Sequence, residues 1–172
     1  MNLSTLFLHA IPYGLGVSVF VSILLLSGMW YNPEVMLHDY PPDIKKAYGP
    51  ARNPNSRRQT VWMAILMFLV IIVGLILALI SLPRPSGFAQ GYRYGLVSLW
   101  TTMMTFNLFD LLVLDIPLVL IKPKRFILPG TDGMKGYSDA MFHVRGFFKG
   151  TLGITLASLV LALIPAGLWL LL

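Results

Sequence analysis

Asp110 and Asp115 stand in "NLFDLLVLDIP", inside an apolar run that contains no lysine or arginine. A carboxylate in such a setting holds a proton, binds a cation or bonds to a partner helix. Asn107, three residues before Asp110, shares its face on a regular helix, whereas Asp110 and Asp115 fall about 140° apart at 3.6 residues per turn. The spacing predicts no close carboxylate pair from an unbroken helix. Pro117 interrupts that helix, because its missing amide hydrogen leaves the Val113 carbonyl without a donor.

A second set of chemical residues lies outside the apolar runs. His38, Asp39, Asp139 and His143 are the candidates for catalysis, with imidazole as base, a carboxylate to orient it and nearby basic residues to hold a phosphate. Asp139 and His143 are four apart and share a helical face. His38, Asp139 and His143 are also the candidate metal ligands, since imidazole and carboxylate suit zinc, iron or manganese. No H-E-x-x-H spacing is present, and "LPGTDG" lacks the Walker pattern, so neither a metal nor any other cofactor is predicted. The chain has no cysteine, which excludes disulfides and thiolate chemistry.

The elements that must position these residues are written in the hydropathy. Of 172 residues, 56% are hydrophobic and 12% charged, with a mean hydropathy of +0.75, far too apolar for a soluble surface. Apolar runs at 6–30, 61–82, 95–121 and 147–172 each reach the roughly 20 residues that cross a hydrocarbon core about 30 Å thick. They are too long for barrel strands, and helices satisfy their own backbone groups in lipid. The predicted fold is all-α: a polytopic integral membrane protein, a four-transmembrane-helix bundle forming one membrane domain over 1–172. The first run has no basic segment ahead of it and is not read as a cleaved signal.

Lys45, Lys46, Arg52, Arg57 and Arg58 occupy the loop at 31–60, and Lys122, Lys124, Arg125, Lys135 and Arg145 the loop at 122–146, against only Arg84 and Arg93 between the second and third runs. The positive-inside rule places both longer loops in the cytoplasm, at the interface, and both termini outside a multi-pass cell membrane. The net charge of +6 is then read as topology and contact with membrane lipids, especially anionic headgroups, with no nucleic-acid partner. Trp30, Tyr31, Tyr40 and Tyr48 suit a headgroup-level aromatic belt.

Counting from Lys122 at 1.5 Å per residue puts Asp110 about 18 Å in, near the midplane, where an uncompensated carboxyl is cheapest with its proton on. Asp115 lies only about 10 Å in by the same count, within reach of a snorkelling Lys122. Equal rise adds Ser18, Ser22, Thr155 and Ser158 to Asn107, Asp110 and Asp115 as an intramembrane polar site. Gly146 and Gly150 predict close helix packing, as do Gly74 and Ala78, the latter pair for a homodimer or a partner membrane protein. Two functions follow. One is a carrier, channel-like or accessory subunit whose midplane aspartate handles a proton or cation, or fixes a helix. The alternative is a membrane-embedded enzyme acting on lipid headgroups at the cytoplasmic face.

Overall fold

The computed structural model describes residues 1–171, which are 82% helical and contain no strand. The helices are α1 (Leu3–Tyr31), α2 (Pro42–Tyr48), α3 (Ser56–Ile80), α4 (Phe88–Phe109), α5 (Ile116–Ile121), α6 (Ala140–Leu161) and α7 (Leu163–Leu171). A π-helical turn over Asp110–Asp115 joins α4 to α5, and α6 runs on into α7, so that four continuous rods are long and apolar enough to cross a membrane. The third rod begins at Phe88 and the fourth at Ala140, each ahead of the apolar run it contains. Polar residues continue the helix beyond its greasy part, and Asp139 caps the fourth rod by accepting the Phe142 amide at 3.1 Å. Pro165, which has no amide hydrogen to give, sits just beyond the break between α6 and α7.

Helix α4 is central: α1 and α3 pack along one side of it and α6 and α7 along the other, with α1 also against α3. Close approach relies on small residues. At Gly95 a Cβ would lie 2.8 Å from Cγ of Pro165, so any larger residue would push α7 away. Gly74 abuts Val17 of α1, and Ala78 is fully buried. The small-residue surface expected to receive a second copy is therefore occupied by the chain's own first helix.

The two long loops form a folded cap on one end of the bundle. Val35, Tyr40, Ile44, Tyr48 and Leu128 bury their side chains with Met29 and Met63 from the rods below. Tyr40 and Tyr48, expected in an exposed aromatic belt, belong to this core instead; Trp30 and Tyr31 are the exposed pair. Each buried tyrosine finds an acceptor for its hydroxyl, Tyr40 on the Phe126 carbonyl at 2.7 Å and Tyr48 on the Glu34 carboxylate.

Glu34 is the polar centre of the cap. Its carboxylate accepts from the Tyr48 hydroxyl, the Ser56 hydroxyl at 2.5 Å and the amides of Arg52 and Asn53, each at 3.0 Å. Burial on its own would raise this carboxyl, but the bonds from Ser56, Tyr48, Asn53 and Arg52 outweigh it and hold the group at about 2, below its ordinary 4.5. Tyr48 is pushed up to about 12, by burial first and then by the adjoining carboxylate. Asn32 completes the knot, donating to Ser56 Oγ at 2.9 Å and to Gln59 at 2.6 Å. Together these bonds fasten the first loop to the start of α3.

Candidate functional site

The π turn reorients the two aspartates. Ile116 donates its amide to the Leu111 carbonyl, five residues back, immediately ahead of Pro117. A turn closed at this spacing brings residues five apart toward one face, where an α-helix would set them about 140° apart. Asp110 and Asp115 accordingly line the same cleft, of about 650 Å³, under the loop cap. The divergence expected of an unbroken α-helix does not carry over to this π-helical turn, and both aspartates border one cleft. Pro117 was the legible signal, but it announced a disturbance without its geometry.

Asp115 Oδ1 lies 2.9 Å from Nδ1 of His143, with both side chains about one quarter exposed. This contact joins the third rod to the fourth. The expected pairing of Asp115 with Lys122 is not formed; Lys122 lines the cleft apart from it. With Nδ1 on the carboxylate, Nε2 is the ring nitrogen left for a ligand or water. Asp110 is half-buried, and its side chain has no hydrogen bond or ion pair among the described residues.

His38 and Asp39 border the same cleft from the first loop, with Nε2 of His38 3.1 Å from Asp39 Oδ2. Asp39 is pushed above its ordinary range by burial foremost, and by Asp115 across the cleft, against the opposing pull of His38 and Lys45. That shift is tempered by water, since 56% of its side chain is exposed. Asp139 does not join the group. Its side chain is spent on the α6 N-cap, and its predicted alliance with His143 along one helical face is replaced by the Asp115 contact. Among the described residues no three histidines or acidic groups converge as metal ligands, so the His38, Asp139 and His143 set is not assembled.

The intramembrane polar residues divide in two. Asn107 lines the cleft and donates to the Phe147 carbonyl and to Thr151 Oγ1, each at 3.1 Å, binding α4 to α6. Ser18 and Ser22 turn back onto their own helix, onto the carbonyls of Gly14 and Ser18 at 2.7 and 2.6 Å. Thr155 accepts from Trp100 Nε1 at 3.0 Å and Ser158 is buried; neither lines the cleft. Equal-rise counting placed these residues by depth alone and carried no information about which face they present.

Gly150 lies so close to Asn107 that a Cβ there would stand 2.7 Å from Oδ1, whereas a Cβ at Gly146 would meet nothing within 4 Å. Only the first of the two is a packing glycine; the second faces the open cleft. Three cations missed as a group by sequence reasoning also line it: Lys122, Arg145 and Lys149. The remaining walls are apolar, with Val21, Leu25 and Phe106 among them.

The fold and site thus define an all-helical protein with four helices compatible with a transmembrane bundle, carrying a cleft lined by both charged and apolar residues at its loop-capped end. Compared with family models, curated proteins and solved structures, the chain has no significant match.

Proposed function

We propose that this chain is a small multi-pass membrane protein, a carrier or accessory subunit, that exchanges a proton at the Asp110, Asp115 and His143 cluster within a cleft on its cytoplasmic side. The observation that carries the reading is the 2.9 Å contact of His143 with Asp115 in the cleft that also receives Asp110. An imidazole between carboxylates takes up and releases protons within reach of physiological pH. The loop-capped end is assigned to the cytoplasm because it carries most of the basic residues.

A pH-jump experiment with a proton-sensitive dye, on protein reconstituted in lipid nanodiscs, tests the reading. Across about pH 5 to 8 the parent takes up at least one proton more than Asp110→Asn combined with His143→Gln. Equal uptake by parent and double variant would contradict proton handling here.

One feature favours the enzymatic alternative. A histidine held by an aspartate through Nδ1 leaves Nε2 as a general base, and the His38–Asp39 pair borders the same cleft. Incubation with defined phospholipids, followed by mass spectrometry of the lipid fraction, decides it: product formation abolished in His143→Gln supports an enzyme, and unchanged lipid rejects it.

A further inference from the structure

Asp115 and Asp39 each have a histidine, but Lys122, Arg145 and Lys149 line the cleft with no carboxylate in ion-pair range among the described residues. Of the other basic residues at this end, Lys45, Arg52 and Arg125 donate to the backbone carbonyls of His38, Tyr48 and Trp30. Lys122 is also the one non-glycine among the described residues with positive φ, at 47°, where it ends α5 and precedes Pro123. Glycine adopts that conformation with less strain, so the position carries a cation at a conformational cost.

Lys122, Arg145 and Lys149 are exposed while most of the other lining residues are apolar, and Gly146 leaves the α6 backbone bare among them. The volume of about 650 Å³ falls within the range of small-molecule sites, roughly 300 to 1,000 Å³. Exposed basic groups together with a largely apolar lining complement a ligand with one anionic end and one hydrocarbon end. We propose that the cleft binds an anionic phospholipid, its phosphate held by Arg145, Lys149 and Lys122 and the first part of its chain laid past Gly146 along the apolar wall. The proposal deepens the functional reading, resting on the same cleft as the working site.

Native mass spectrometry of the detergent-purified full chain, offered phosphatidic acid or phosphatidylcholine of identical chains, tests it. The parent retains phosphatidic acid in preference, and Arg145→Gln and Lys149→Gln each weaken retention about fivefold. A Cβ at Gly146 meets nothing within 4 Å and leucine favours helix over glycine, so Gly146→Leu should fold and block retention. Circular dichroism confirms its helicity. Equal retention of the two lipids, or full retention by folded Gly146→Leu, overturns the proposal. So does displacement of phosphatidic acid by an equal concentration of inorganic phosphate, which would identify a free-anion site. The double variant Asp110→Asn with His143→Gln separates the two claims: it loses proton uptake while Arg145, Lys149 and Lys122 remain to hold the lipid. Lipid preference without any proton uptake in the parent leaves this proposal standing and removes only the proton reading.

Discussion

Replacing Glu34 by glutamine keeps the shape of the side chain and removes its charge from the centre of the loop cap. One carboxylate oxygen now receives Tyr48 and the Arg52 amide, the other Ser56 and the Asn53 amide. Glutamine offers a single acceptor oxygen, so whichever way it turns, its NH2 group opposes one backbone amide, which loses its partner. Two routes give the magnitude. Depression of the carboxyl from 4.5 to about 2, at about 1.36 kcal/mol per unit, corresponds to about 3 kcal/mol. Leaving one part-buried donor short of its partner costs toward the lower end of about 1 to 3 kcal/mol.

The pH dependence has a definite sign. A carboxyl depressed in the folded state stabilises it fully above the unfolded value of 4.5, and the contribution is lost as pH falls toward about 2. Hydrogen–deuterium exchange of 32–56 in micelles reads the effect. The Arg52 and Asn53 amides should exchange on the order of 100-fold faster in Glu34→Gln at neutral pH, equivalent to about 3 kcal/mol. In the parent their protection against opening should decline once the pH is taken below about 4.5. Equal protection in parent and variant, unaffected by acid, would refute the role assigned to this knot.

Gly150→Ala should lower the thermal midpoint, by about 1 to 3 kcal/mol of overpacking against Asn107, while Gly146→Ala, with open space before it, should raise it slightly; melts followed by circular dichroism compare them. The hydroxyls of Ser98, Thr101 and Thr102 are buried with no partner, so Thr102→Val should be neutral or stabilising by up to about 1 to 3 kcal/mol in the same melts. Single cysteines at Asn55 and Asp132 should resist an impermeant thiol reagent in intact cells, and one at Phe88 should react. Reaction at the first two alone would reverse the proposed orientation.

Hydropathy alone made the four long helices legible, because each apolar run reaches spanning length whatever its neighbours do. In "LPGTDG", Gly130 and Gly133 adopt positive φ, at 83° and 74°, as glycine allows in a turn. Facing was not legible. Period and depth counting assume an unbroken α-helix, whereas Asp110–Asp115 forms a π turn before Pro117, with Asp115 against His143. The loop core was hidden for a different reason. Glu34, Tyr40 and Tyr48 are polar or amphipathic residues in a proline-rich segment, and their burial depends on partners as distant in sequence as Phe126 and Leu128. Gly91 and Gly95 carry the same four-residue spacing as Gly74 and Ala78, yet spacing does not say which helix will fill it; here α7 does.

The contact between His143 and Asp115 is the centre of the account, and residue-specific nitrogen NMR of the His143 ring in nanodiscs measures it most directly. Nδ1 is expected to carry the proton shared with Asp115, and its signal to shift in Asp115→Asn, where an amide replaces the accepting carboxylate. A ring signal identical in the parent and Asp115→Asn at every pH would contradict it.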